Sequence, residues 1–85
     1  MIHTMIAVKD AKVGSYARPV PVVNAATGVR AFPDAVNDPS TEYHKHPEDY
    51  TIWELGSFDD QTGLFTNLDT PIQLANAIAL LKIFE

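Results

Sequence analysis

Cysteine is absent from the 85-residue chain. Its absence excludes a disulfide framework, a thiol nucleophile and a zinc site with cysteine ligands. No apolar run reaches the roughly 18 residues that a membrane-spanning helix needs. The first residues also lack the basic and apolar segments of a secretory signal. We therefore expect a soluble intracellular protein.

Residue patterns that carry catalysis are also missing. The 4 glycines are isolated from one another, so no glycine-rich loop is available to bind phosphate. No serine lies in a nucleophile-elbow sequence. The acidic pair Asp59-Asp60 falls where a hairpin turn is expected, and aspartate is favoured in turns. We expect a protein that is not an enzyme and that needs no cofactor.

The length allows a single domain, residues 1–85. Hydrophobic residues make up 46% of the chain and charged residues 20%, which is typical of a globular protein and not of a disordered one. A domain of this size buries only about 60–65% of its unfolded surface. Association would bury more, so we expect a homodimer.

The net charge of −5 is distributed unevenly along the chain. Residues 1–45 carry 5 basic and 4 acidic side chains, whereas residues 46–85 carry Lys82 and 7 acidic side chains. An acidic protein is repelled by a phosphate backbone at long range. Any contact with nucleic acid must therefore use a local basic surface in the first half. Otherwise the acidity serves solubility alone.

The beginning of the chain predicts a β-hairpin. Residues 2–9 and 16–23 are rich in β-branched and aromatic residues, and Gly14 can adopt positive φ in the turn between them. Pro19 and Pro21 both lack an N–H group on the same strand edge. The second strand must therefore be an edge strand, or that side of it must face solvent.

A helix is predicted next, over residues 24–37, with Asn24 as its N-cap. Pro33 clashes with a preceding carbonyl, so the helix either kinks there or starts late. Residues 38–49 are polar and predict a loop. The apolar stripe of the helix comprises Val29, Phe32 and Val36.

Residues 50–58 and 64–68 predict a second hairpin, and Gly63 is expected in a left-handed conformation at the end of its loop, 59–63. Because side chains alternate along a strand, two faces are expected in the first of these segments. One face carries Trp53 and Leu55, and the other carries Ile52 and Phe58.

The last segment predicts a helix over residues 70–83. Thr70 is suited to the N-cap, Pro71 to the first turn and Gln73 to a capping box. The helix stripe comprises Leu74, Ala77, Ile78 and Leu81. The order of elements is then ββαββα, which predicts an α+β fold: one antiparallel sheet from two hairpins, with two helices packed on it. The strand order stays open.

His44 and His46 form an H-x-H pair in the polar loop, close to Glu42, Glu48 and Asp49. Alternating histidines and a carboxylate can share a metal ion. Together with a lysine they can also form a basic spot below about pH 6.5. The same spacing is common in solvated loops, and no pattern fixes a third and fourth ligand. We interpret the segment as a solvated loop without a metal site.

Aromatic residues next to basic ones are the combination that single-stranded nucleic acid requires, for base stacking and phosphate contacts. Such a combination is expected around the first hairpin turn and is repeated in the polar loop. Trp53 is more typical of a core residue, although it could stack on a base. The predicted nucleic-acid site comprises Lys9, Lys12, Tyr16, Arg18, Arg30, Tyr43 and Lys45.

Several sequence runs resemble the small nonstructural protein of gokushovirus-type microviruses, which are phages with single-stranded circular DNA. The similarity covers most of the chain and is strongest over residues 30–66. The matching runs are RAF-DAVNDP (Arg30 to Pro39), HKHPEDY (His44 to Tyr50), ELG-FD--TG (Glu54 to Gly63) and, more loosely, Y-RP (Tyr16 to Pro19).

The resemblance implies a role in phage DNA replication or in the switch to genome packaging, with single-stranded DNA as a partner. It also implies a location in the host bacterial cytoplasm and absence from the mature virion. It assigns no catalytic residue. The alternative is an adaptor that contacts the viral replication initiator or host machinery without binding DNA. Salt dependence separates the two, because phosphate contacts weaken steeply with salt.

Overall fold

The computed structural model describes residues 1–82. Its strands are β1 (Ile2–Asp10), β2 (Ser15–Tyr16), β3 (Val20–Val22), β4 (Tyr50–Asp59) and β5 (Leu64–Asn76). They form one antiparallel sheet in the order β2-β1-β4-β5, with β3 also paired to β1. Short helices accompany the sheet, so the predicted α+β class is confirmed. The strand order, which the sequence left open, places β1 and β4 in the centre.

The predicted first hairpin is confirmed. Lys9 of β1 lies opposite Tyr16 of β2, and Met5 lies opposite Pro21 of β3. Gly14 in the turn has a φ of +80°, which only glycine adopts easily. The chain between Tyr16 and Val20 leaves the ladder, so the predicted strand is split in two. Both pieces lie at the edge of the sheet, as the prolines require.

The predicted first helix is broken into α1 (Ala25–Arg30) and α2 (Phe32–Val36). Asn24 is the N-cap, because its Oδ1 accepts a hydrogen bond from the Thr27 amide at 2.8 Å. The break falls at Ala31, immediately before Pro33, which lies in the first turn of α2 where its missing N–H costs nothing. The single predicted helix is therefore two helices, and the second starts with Pro33 in its first turn, as one of the two alternatives expected.

The predicted polar loop contains two short helical turns, α3 (Glu42–Lys45) and a 3-10 turn (Pro47–Asp49). Thr41 caps α3 by accepting a hydrogen bond from the His44 amide at 3.2 Å. These turns keep the loop against the helix layer.

The second hairpin is confirmed, with Gly63 at a φ of +75°. Its strands are irregular, because Leu55 is an extra residue between the pairs that β4 makes with Met5 and Ile6 of β1. This bulge resets the alternation of β4. Phe58 consequently lies opposite His3, on the same side of the sheet as Trp53, and the predicted separation of Trp53 and Phe58 onto two faces is wrong.

The helix predicted over residues 70–83 is wrong for most of its length. Strand β5 continues to Asn76, and only α4 (Ala77–Leu80) is helical. Pro71 lies in an irregular part of β5 that pairs with no residue of β4, so its missing N–H breaks no ladder bond. Asn76, and not Thr70, is the N-cap, since its Oδ1 accepts from the Ala79 amide at 2.8 Å. The predicted end at residue 83 lies outside the described residues.

The core lies between the sheet and the helices. Its buried members are Ile6, Phe32, Val36, Ile52 and Ala77. Asn37 joins α2 to the segment after α4, since its Nδ2 donates to the Leu80 carbonyl at 3.1 Å and its Oδ1 accepts from the Lys82 amide at 2.7 Å. The ribbon formed by the start of β1 and the β4–β5 hairpin extends beyond this core, and the molecule measures 49 × 24 × 19 Å.

Candidate nucleic-acid interface

The two faces of the sheet differ in what they carry. Residues that pair across strands share a face, so the pairing assigns each side chain to a face. The core cluster lies on the side of Ile6 and Ile52, which we call the helix-side face. We call the other side the open face. Its rows are His3–Phe58–Phe65, Met5–Gly56–Asn67, Ala7–Trp53–Gln73 and Lys9–Thr51–Asn76, with Tyr16 beside Lys9.

Acidic side chains are separated from the rows of the open face. Asp10, Glu54 and Asp59 all lie at paired positions, and the pairing places all three on the helix-side face. Asp69 lies in the unpaired part of β5. Among the paired positions of the described sheet, the open face therefore carries a lysine and a histidine but no carboxylate.

Lys9, Tyr16 and Trp53 form a compact cluster on the open face. The Lys9 ammonium lies 5.4 Å from the centre of the Tyr16 ring and 5.8 Å from the Trp53 ring. The two rings meet edge to face, with centres 6.4 Å apart and planes at 83°. A cation at these distances is attracted by the electron-rich ring faces. The lysine is thus held between two aromatic surfaces.

Strand register produces this cluster. Lys9 lies opposite Tyr16 on one side and Thr51 on the other, and Trp53 is the next residue of β4 on the same face. The Trp53 indole N–H donates to the Thr51 hydroxyl at 2.7 Å, which fixes the ring. Trp53 is half-buried and lies outside the core cluster, so the expectation that it is a core residue is wrong.

A second aromatic pair lies further along the open face. The Phe58 and Phe65 rings are 4.8 Å apart, and Phe65 is 63% exposed. Strict alternation along β4 does not predict this pair, because the bulge at Leu55 shifts Phe58 to the other face. Phe58 lies opposite His3, and Trp53 lies opposite Ala7. The Phe58–Phe65 pair is therefore about 13 Å from Trp53 along β1, at roughly 3.3 Å per residue.

Asp60 lies in the turn between β4 and β5, at the end of the ribbon. Its carboxylate accepts hydrogen bonds from the amino group of Met1 at 2.7 Å and from His3 Nε2 at 2.9 Å. The bond from the amino group, followed by that from His3, holds the pKa of Asp60 below its usual value. The same contact raises the pKa of the Met1 amino group. This carboxylate is therefore already engaged with two hydrogen-bond donors.

Of the predicted site residues, the structure brings Lys9 and Tyr16 into contact. Lys12 is exposed in the turn of the same hairpin, and Arg18 is exposed in the connection from β2 to β3. Both lie at the same edge of the sheet as the Lys9 cluster, but their side chains have other neighbours. Lys12 lines a surface hollow with Asp10 and Asp49, and Arg18 lines one with Val8 and Tyr43.

The remaining predicted residues belong to the helix layer. Arg30 is exposed in the last turn of α1, and Lys45 lies 3.8 Å from Glu42 within α3. Tyr43 packs against the core, with its ring centre 5.6 Å from Phe32 and 4.8 Å from that of Tyr50. The structure therefore separates these three residues from the cluster on the open face.

The two histidines of the polar loop point to different partners. His44 Nδ1 donates to the Val36 carbonyl at 3.1 Å, which ties α3 to α2. The side chains of His46, Glu48 and Asp49 can bring one ligand atom each within 4.8 Å of one another on the surface. The two histidines therefore do not form one site, because His44 joins α3 to α2 while His46 is exposed on the surface.

Comparison with known protein families matches the family described as Phage ORF5 protein over residues 3–80. The chain belongs to the Phage ORF5 protein family. This phage protein matches no curated protein and no solved structure. Its membership confirms the phage origin that the sequence resemblance implied. None of the helices of this family member, within residues 1–82, is long and apolar enough to cross a membrane.

Proposed function

We propose that this phage protein binds single-stranded DNA on its open face, as a non-enzymatic accessory in microvirus-type genome replication or in the switch to packaging. The observation that carries the proposal is the Lys9 ammonium between the rings of Tyr16 and Trp53, on a face whose paired rows contain no carboxylate. Base stacking and phosphate contact are the two interactions that sequence-tolerant binders of single strands combine.

The distribution of charge supports the proposal despite the net charge of −5. Repulsion between like charges is screened over about 8–10 Å at physiological salt. Because the strand acids Asp10, Glu54 and Asp59 lie on the helix-side face, a strand on the open face meets Lys9 first. Lys12 and Arg18 are exposed at the adjoining edge, where a strand that continues past Lys9 can reach them.

The spacing of the aromatic residues indicates the form of DNA. Tyr16 and Phe65 are exposed by 38% and 63%, so each offers surface to an unstacked base. Tyr16 lies level with Lys9 and Phe65 lies level with His3, about 20 Å apart along β1. A single strand can present separate bases to both rings. In a duplex the bases are stacked inside the helix and do not reach these rings, so we expect single strands to bind more tightly than duplexes.

The experiment is fluorescence anisotropy of a labelled single-stranded oligonucleotide at about 50 and 200 mM salt. A variant with Lys9, Lys12 and Arg18 changed to Ala should bind much more weakly than the wild type. The matched control changes Arg30, Lys45 and Lys82 to Ala, which removes the same number of cations from the helix layer and the segment after α4. Equal loss in both variants would mean that net charge, and not the open face, governs binding.

The second candidate is an adaptor that contacts the viral replication protein or host machinery. It is favoured by the apolar side chains of the ribbon, since Ile2, Leu64 and Phe65 are 57%, 68% and 63% exposed. Absence of any DNA binding at low salt would favour the adaptor. For either function we propose that the protein acts in the host bacterial cytoplasm and is absent from mature virions, which mass spectrometry of purified phage particles tests directly.

A further inference from the structure

The two edges of the sheet differ in their ability to pair with another strand. One edge is formed by β2 and β3, where Pro19 and Pro21 interrupt the run of backbone donors. The other edge is β5, whose residues 64–67 contain neither proline nor charge. Charged residues and prolines are the usual means by which proteins protect an edge strand. The β5 edge lacks both over this stretch.

Residues 64–67 of β5 pair regularly with residues 56–59 of β4 on their inner side. Their outer side pairs with no strand of the described chain, because β5 is the terminal strand of the sheet. Leu64 and Phe65 are exposed by 68% and 63%. The segment therefore offers unpaired backbone groups together with apolar side chains on both faces.

We propose that a second copy of this chain occupies the edge, by antiparallel pairing of residues 64–67 of β5 with the same residues of the other copy. A two-fold axis requires each residue at its centre to face itself or its neighbour. Phe65 and Thr66 suit this arrangement, since aromatic pairs and threonine pairs both stabilise antiparallel strands. A strand with a charge at the centre would be excluded by its own repulsion.

The positions of the acidic residues also allow a second copy of this acidic protein to pair at this edge. If the axis lies at Phe65 or between Phe65 and Thr66, Asp69 comes opposite Gln61 or Thr62 of the other copy. In the same registers Asp60 comes opposite Thr70 or Pro71. No carboxylate then faces another across the new pair of strands, although each chain has a net charge of −5.

The dimer joins the two open faces on one side of a continuous sheet. Phe58 and Phe65 of one copy lie next to the same residues of the other, between the two clusters that contain Lys9. This arrangement depends on the edge of β5 and not on DNA binding, so either proposal can fail while the other stands.

The first test is the mass in solution, by light scattering over a wide range of concentration. We expect about twice the chain mass of 9.4 kDa. The double variant Leu64→Lys with Thr66→Lys should be monomeric, because four lysines would meet across the axis. The control, Ala11→Lys with Val13→Lys, adds the same charge at an exposed turn and should stay dimeric. A monomeric wild type or a dimeric Leu64/Thr66 variant would overturn the proposal.

The second test uses the absence of native cysteine. Single cysteines introduced at positions 64–67 should form a disulfide-linked dimer under mild oxidation, most efficiently at the residue closest to the axis, where facing Cα atoms are about 4.5–5.5 Å apart. Val13→Cys, in the distant turn, is the control and should link poorly. Equal linkage at all five positions would indicate random collision and would contradict the pairing.

Discussion

Lys9 and Trp53 approach each other diagonally across two strands. The Lys9 ammonium lies 5.8 Å from the Trp53 ring, although the residue directly opposite Lys9 on β4 is Thr51. Long and aromatic side chains reach such diagonal neighbours on one face of a sheet. The contact therefore reports the register of β1 and β4, and it places the cation beside two aromatic surfaces.

Removing the Tyr16 ring should weaken binding of single-stranded DNA. A stacked base is worth about 1–3 kcal/mol, so Tyr16→Ala is expected to lower affinity by roughly 5- to 150-fold. Tyr16→Phe keeps the ring and should bind nearly as well as the wild type. Anisotropy titrations of the three proteins check this, and equal loss in the Phe and Ala variants would argue against stacking.

Lys9 should contribute one phosphate contact. For single strands each contact adds about 0.7 to the slope of log affinity against log salt. Lys9→Gln is expected to reduce the slope by about that amount, whereas Lys82→Gln should leave it unchanged. The measurement is a salt series for each variant, and an unaltered slope for Lys9→Gln would remove the residue from the interface.

Gly56→Ala should destabilise the fold. A Cβ at this position would overlap the Thr66 carbonyl oxygen of β5, which is backbone and cannot move aside without disturbing the strand. We expect a loss of about 1–3 kcal/mol in the free energy of unfolding, typical of overpacking. Urea denaturation measures it, with Ser57→Ala as the neighbouring control. A stability equal to that of the wild type would show that β5 lies further from β4 than described.

The N-cap of α4 tests the corrected end of β5. Asn76→Ala removes the bond to the Ala79 amide and should cost about 0.5–2 kcal/mol of stability. Thr70→Ala should cost much less, because Thr70 lies within β5 and caps no helix. Thermal or chemical unfolding measures both losses. A larger loss for Thr70→Ala than for Asn76→Ala would support the longer helix that the sequence predicts.

Asp60 should make stability depend on pH in the acid range. Its pKa is lowered in the folded protein, chiefly by the Met1 amino group and then by His3. The stabilisation is therefore complete above the ordinary aspartate pKa, about 3.9, and is lost as the pH falls through the lower folded value. Thermal midpoints of wild type and Asp60→Asn should differ at neutral pH and converge in acid. A constant difference down to the lowest pH would contradict the contact.

Local signals in the sequence predicted the first half of the fold well. Gly14, Asn24 and Pro33 each have one dominant conformational preference, and the structure uses all three as expected. The last helix was wrong because Thr70, Pro71 and Gln73 satisfy the rules for a helix start equally well. Pairing of residues 72–76 with β4 overrides that local preference, and no local pattern reports such pairing.

The sequence predicted only part of the candidate site, again because local patterns do not report how distant strands pair. Tyr16 and Lys9 lie in one hairpin, so their proximity follows from a short turn. Trp53 and the Phe58–Phe65 pair depend on the register of β4 and on the bulge at Leu55, which sequence alternation does not contain. Tyr43, like Tyr16, has basic residues close to it in the sequence, yet its ring packs on the core.

Trp53 offers the most direct test of the central claim, because it is the only tryptophan in the chain and lies inside the proposed interface. Its emission should be measured during titration with an unlabelled single-stranded oligonucleotide at low and at physiological salt. The account predicts a saturable change in emission that weakens with salt and disappears in the variant lacking Lys9, Lys12 and Arg18. A labelled oligonucleotide that binds while Trp53 emission stays constant would contradict it, because the DNA would then lie elsewhere on the protein.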